Sequence, residues 1–194
     1  MTDVTFRMNG HVLIKDVDTQ MVLADKSNAI NFEIASYALA LSLAHRPNGH
    51  VMQVVFGNGA SSVSAVGGVT YLPPNVTGLD AQLYNQTYSK FVDDNSPQNT
   101  DPINNFLRVN HTSGNTYSDV VVTTLLDYNE PAGQQATDAT TDNEGTFVFD
   151  EIGIRTYDTN NATGLMLSHV LFHPVQKSMN RRIEVIYTFR IVLS

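Results

Sequence analysis

The chain of 194 residues carries 19 acidic side chains against 11 basic ones, a formal net charge of −8, and no cysteine. That length suits one domain with its own core, and the missing cysteines exclude a disulfide framework, a Cys-based zinc site, an iron–sulfur cluster and a thiol nucleophile. The acidic balance argues against nucleic acid and anionic membrane as partners, and no run approaches the ~18 apolar residues of a membrane span. Only 15% of the residues are charged; 18 Asn and 19 Thr supply the polarity instead, which suits turns and strands and sets β-structure as the first expectation. Met1–Arg7 has neither the basic flank nor the apolar stretch of a secretion signal, so the chain reads as soluble and cytosolic, or assembled there.

In chain order, Val4–Met8 and His11–Asp16 read as two strands around an Asn9-Gly10 hairpin turn. A helix over about residues 29–45 follows, with Ser27 or Asn28 as its cap and Pro47 and Gly49 as its stop. Ile30, Ile34, Ala38 and Leu41 form one apolar stripe of this helix and Phe32, Ala35, Leu39 and Leu43 a second. Such a helix is buried on two sides, against its own sheet and either more of the core or a neighbouring subunit. Val51–Phe56 is a buried strand ending in Gly57-Asn58-Gly59; a Ser- and Gly-rich loop, Val69–Leu72 and Pro73-Pro74 come next. Residues 75–102 read as a turn-rich but anchored excursion, with a short helix at Asp80–Tyr88. Phe106–Thr112 and Tyr117–Tyr128 make a long hairpin, whose second strand is apolar on both faces and is expected to be covered on both. Residues 129–144 form an acidic surface loop. Thr146–Phe149, an Asp150–Gly153 corner, Ile154–Tyr157 and Leu165–His173 lead to Arg182–Leu193, the most regular alternating strand in the chain, placed to close a sheet. The fold class is mainly β: an antiparallel β-sandwich or barrel-like domain with one embedded helix, spanning 1–194 as a single domain.

Few residues group into chemistry. His169 and His173 have helical zinc spacing but fall on a strand, where four residues span about 13 Å and cannot share a metal. Gly57-Asn58-Gly59 lacks the third glycine and the helix of a phosphate turn. Asp158–Asn161 lacks the glycine and glutamate of a calcium hand. Neither Asp93-Asp94 nor Asp150-Glu151 is an acid/base couple, because neighbours on a strand point to opposite faces. Asp150, Glu151 and Gly153 are read as a structural corner in which the Glu accepts backbone N–H bonds, with ligand binding and catalysis as the other uses of the same carboxylates. No nucleophile elbow is present, and the Asn-x-Thr triplets are chance products of an Asn- and Thr-rich chain. No cofactor is assigned. Interaction is what remains, and the contact candidates are Tyr84, Tyr88, Glu130, Asp138 and Asp142 of the acidic loop, and the basic Lys177, Arg181 and Arg182.

Phe147–Ile154, Gly164–Val175 and the closing Ile183–Ile191 resemble a module of tailed-bacteriophage structural proteins, found in tail-fibre and baseplate-attachment proteins. There a Glu-Ile-Gly-Leu-like corner precedes a hairpin and a final strand, and Phe56–Gly59 is similar to the Gly-x-Gly turn upstream of it. The stretch from Asn28 through Tyr71 to Tyr88 is similar to virion proteins of large contractile-tailed phages. Ile154 replaces the usual Leu, and the chain stops at Ser194 without a shaft or tip. The resemblance therefore implies a connector, adaptor or decoration rather than a complete fibre, without catalytic residues and located in the virion. The implied partners are other copies, in a trimer or ring, and neighbouring virion proteins. A tail, baseplate or fibre-attachment position is expected first and capsid-surface decoration second. A carbohydrate-binding module using Tyr71, Tyr84 and Tyr88, or a small hydrolase, is the reading from another class.

Overall fold

Alternating apolar residues and the Thr- and Val-rich runs fold into strands over half of the chain, with 7% in helix, in a computed structural model that describes residues 5–131, 146–157 and 164–193. Among these residues the elements in order are β1 (Phe6–Asp16), β2 (Val22–Ser27), β3 (Ala29–Ile30), α1 (Phe32–Leu43), β4 (Gln53–Gly57), β5 (Ser61–Val63), β6 (Val69–Tyr71), β7 (Gln86–Phe91), β8 (Phe106–Asn110), β9 (Tyr117–Leu126), β10 (Thr146–Arg155), β11 (Met166–Ser178) and β12 (Ile183–Leu193). They form two antiparallel five-stranded sheets, ordered β2-β1-β12-β9-β8 and β3-β11-β10-β4-β7, plus the small β5–β6 hairpin.

The inward residues of both sheets meet in one core. Val12, Ile14, Val122, Leu126, Val185 and Tyr187 come from the first sheet; Val54, Phe56, Ile152, Ile154, Val170 and Phe172 come from the second. This is the sandwich the alternation predicts. Phe149 links Phe56 and Phe172 edge-on, with centroids 5.4 and 5.9 Å away, an arrangement worth about 0.5–1.5 kcal/mol per pair beyond burial. The regular β12 does not sit at a rim: it is the middle strand of its sheet, between β1 and β9.

Four local expectations are corrected. No turn forms at Asn9-Gly10; β1 runs straight through, in unbroken register with β12 from Phe6↔Leu193 to Asp16↔Ile183. Gly10 is needed for close approach instead, because a Cβ there would overlap the Asn28 side chain. The helix is shorter than 29–45: β2 runs to Ser27, Ala29–Ile30 pairs with β11, and Asn31 is the cap, its side chain accepting the Ile34 N–H at 3.2 Å. No helix occupies 80–88; Gln86–Phe91 instead pairs with β4 as the edge of the second sheet, where its β-branched and aromatic residues fit. Finally, β9 is covered on one side only, with Val122, Thr124 and Leu126 buried and Val121, Thr123 and Leu125 half-exposed.

The helix is likewise covered on one side. Ile34, Ala35 and Ala38 pack into the core, whereas Phe32 is 66% and Leu43 81% exposed. Of the second apolar stripe read from the sequence, Phe32, Leu39 and Leu43 therefore lie on the surface and Ala35 is buried.

Candidate functional site

The outer face of the second sheet is roofed by the 57–85 segment, and buried carboxylates, Glu151 foremost, hold the roof down. Glu151 lies inside β10, not at a corner between strands, and is fully buried. Its Oε1 accepts the backbone N–H groups of Gly59 (3.1 Å) and Asn85 (2.8 Å). Its Oε2 accepts the N–H of Tyr84 at 2.9 Å and lies 2.9 Å from His169 Nε2. His169 Nδ1 accepts the Asn75 N–H at 3.0 Å, so the ring proton resides on Nε2 and is donated to Glu151. Both residues come from strands otherwise rich in Phe, Ile, Val and Leu, which is why they are buried.

Asp150 reaches the same segment. A register bulge between Phe149 and Glu151 removes the strict alternation that would set the two carboxylates on opposite faces. Asp150 accepts the Ala60 N–H at 3.2 Å and the Ser61 hydroxyl, fixing the base of the β5–β6 hairpin. Gly153, further along β10, lets Met166 lie against the strand: a Cβ there would overlap the Met166 sulfur. Val55, Leu83 and Met166 fill the space beneath the roof.

Environment separates the two carboxyls. Burial pushes Glu151 up, but the His169 hydrogen bond and the amides of Asn85, Tyr84 and Gly59 outweigh it and hold the group below its ordinary value. Burial pushes Asp150 up and wins, since Ser61 and Ala60 only partly offset it and the neighbouring Glu151 charge adds to it. An ionised carboxylate offers about four acceptor positions, and four donors already fill those of Glu151. His169 has both ring nitrogens engaged. The pair anchors backbone, and neither member has a lone pair free to take a substrate proton or bind an ion.

A second buried cluster corrects two contact candidates. Lys177 is fully buried, and its ammonium donates to the carbonyls of Asp127 (2.9 Å), Glu130 (2.8 Å) and Ser178 (2.9 Å). Glu130 accepts from Lys90 Nζ at 2.6 Å and from the Asp127 N–H at 2.8 Å, while Lys90 also donates to the Leu125 carbonyl. Lys177 and Glu130 therefore tie the end of β9 to β11 and β7 rather than facing a neighbour. Tyr88 is corrected as well: it is 8% exposed and packs against Phe56 in the core. Tyr84 is at the surface, 40% exposed, with its hydroxyl donating to the Pro73 carbonyl at 2.6 Å. Asp138 and Asp142 lie outside the described residues.

Arg181 and Arg182 are half-buried and paired within the chain, to Asp16 and Asp18 respectively. The Arg182 guanidinium also lies 5.0 Å from the centroid of the Tyr128 ring. Asp16 accepts the N–H groups of Thr19 (2.8 Å) and Asp18 (3.0 Å) besides Arg181. The Thr19 amide and then Arg181 hold its carboxyl at about 2, against opposing burial. A depressed carboxyl contributes stability above its unfolded value of 3.8, and that contribution is lost as the pH falls toward 2. Asp16→Asn is expected to cost about 1–2 kcal/mol at neutral pH and to flatten the acid limb of the stability profile in that window, measured by urea unfolding against pH.

Among the described residues no group of three His, Asp or Glu side chains is placed to hold a metal, and no helix is long and apolar enough to cross a membrane. A groove of about 510 Å³ opens beside the helix start, lined by Met8, Gly10, Asn28, Ile30, Phe32 and Val76. No family model matches the chain, and no curated protein or solved structure matches it either.

Proposed function

We propose that the chain is a non-enzymatic structural component of a tailed-phage virion, a connector or adaptor in the tail, baseplate or fibre-attachment region that acts by assembling with copies of itself and with neighbouring virion proteins. The observation that carries the non-enzymatic part is the commitment of the buried ionisable groups to backbone. Glu151, His169 and Lys177, all fully buried, have their polar atoms spent on holding loops. The virion part is supported by the resemblance of Phe147–Ile154, Gly164–Val175 and Ile183–Ile191 to phage attachment modules. Those stretches form β10, β11 and β12, the central strands of the two sheets. A carbohydrate-binding reading has less to work with, since of the three tyrosines it would use Tyr88 belongs to the core and Tyr71 and Tyr84 remain at the surface.

Mass spectrometry of purified virions tests the proposal. Peptides of this chain are expected at a small fixed copy number, a multiple of three or six, for a tail position. Hundreds of copies would move it to the capsid surface, and absence from the particle would remove the virion reading.

A further inference from the structure

The outer stripe of α1 is an apolar surface left without a partner. At 100° per residue, Phe32, Ser36, Leu39 and Leu43 fall within a narrow strip of the helix, away from the buried Ile34 and Ala38 and bordered by the buried Ala35. Phe32, Leu39 and Leu43 are 66%, 38% and 81% exposed. Three large apolar side chains in register over about 18 Å of helix are not scattered surface residues.

The order of large and small residues says what covers them. Laid antiparallel on itself about a twofold axis, the strip sets Phe32 against the partner's Leu43, and Ser36 against the partner's Leu39. A large residue meets a small one at the centre, where helix axes must approach to about 8–10 Å, and large residues meet at both ends. The ends agree too. Phe32 lines the groove of about 510 Å³, whose apolar lining includes Met8, Ile30 and Val76, so the most exposed residue of the strip, Leu43, arrives over a cavity suited to it. Two such knob-and-groove contacts extend the footprint beyond one helix pair, toward the roughly 800 Å² per partner that a stable contact needs.

Charge points the same way. Glu33 is the acidic residue of the first turn, and His45 and Arg46 follow the helix at its other end. Antiparallel pairing brings each Glu33 toward the partner's Arg46 and aligns opposite ends of the two helix dipoles. For a chain of net charge −8, this face offers contact between copies without like-charge repulsion.

We infer that a second copy of this chain covers the strip, in a twofold dimer built on α1 packed antiparallel against its equivalent, rather than in the trimer or ring expected from sequence. The inference rests on the reading of the chain as an assembly protein and names the surface it uses.

The test uses the full chain at micromolar concentration. Sedimentation equilibrium is expected to give twice the 21.3 kDa chain mass. The Leu39→Glu/Leu43→Glu variant, checked by circular dichroism, is expected to weaken dimerisation by more than about 100-fold, since each substitution acts twice across the axis. A second readout does not depend on that variant folding, because the chain has no cysteine of its own. Ser36→Cys mixed with Leu39→Cys is expected to yield a disulfide-linked dimer on mild oxidation, and neither variant alone to do so. Val109→Cys, on the exposed edge strand β8, is the control. A wild-type mass of one chain overturns the inference, as does a double-Glu variant that remains dimeric, or cross-linking no better from the mixture than from the control. A monomer found in virions removes this inference alone; a dimer missing from virions removes the virion reading alone.

Discussion

Glu151→Ala is expected to destabilise the protein by about 3–5 kcal/mol and to free the 57–85 roof from the second sheet. The substitution removes the acceptor for three part-buried backbone amides and for the fully buried His169 N–H. Each orphaned buried donor costs about 1–3 kcal/mol, offset in part as the roof opens to solvent. Glu151→Gln keeps the shape and one acceptor, but its NH2 confronts amides that themselves donate, and about 2–3 kcal/mol is expected. Denaturant unfolding measures the loss. Hydrogen exchange locates it, with the Gly59, Tyr84 and Asn85 amides exchanging faster relative to the β12 amides. Unchanged exchange at those three positions would show that Glu151 does not anchor the segment. The pH dependence has a definite sign. Because the Glu151 carboxyl is depressed, its contribution is complete above the ordinary value of 4.5 and is lost as pH falls through the lower folded value.

Lys177→Met is the second large effect, expected at about 3–4 kcal/mol, because the methionine fills the volume while three part-buried carbonyls lose their donor. The ammonium is itself held at a cost. Burial lowers its pKa to about 8, with Glu130 and Asp127 only partly opposing that. Between about pH 8 and the unfolded value near 10.5 the unfolded chain binds more protons than the folded one. Wild-type stability is therefore expected to rise with pH across that window through this group, and the rise to vanish in Lys177→Met. A variant whose stability against pH runs parallel to wild type from 8 to 10.5 would refute the assignment.

The strands were legible where a local pattern had one physical solution. Alternation in Arg182–Leu193 survives as β12 because one face is core and the other is not, whereas the apolar run Val51–Phe56 survives as β4 because that strand is buried on both faces. Asn9-Gly10 misled because a turn signal is only a local preference, and an eleven-residue ladder with β12 outweighs it. Tyr88, Glu130 and Lys177 misled differently. Residue type places a Tyr, Glu or Lys at the surface, while burial here depends on partners distant in sequence: Phe56 for the tyrosine, the Asp127 amide and Lys90 for the glutamate, and three carbonyls for the lysine. The acceptor role of Glu151 was read from a supposed corner between strands and holds inside β10 instead, while the Asp150 geometry was not legible, because a bulge depends on the partner strand. The unpaired helix stripe was visible as a second apolar face; only the packing of the sandwich shows which stripe is left outside.

The pairing of β1 with β12 also sets the schedule of folding. β1 has its longest ladder with β12, the described strand most distant from it in sequence, Phe6 against Leu193 and Asp16 against Ile183. During synthesis β1 can recruit only β2, and the middle of the first sheet stays empty until the ribosome has finished with residue 193. Until then β9 has only β8 as a partner, and the β1 and β9 edges that β12 will fill are exposed to other nascent chains. The β10–β11 hairpin and its pairing with β4 need no such wait. Refolding is thus expected to be slow, governed by closure of the long loop between β1 and β12, with the second sheet protected from exchange before the first.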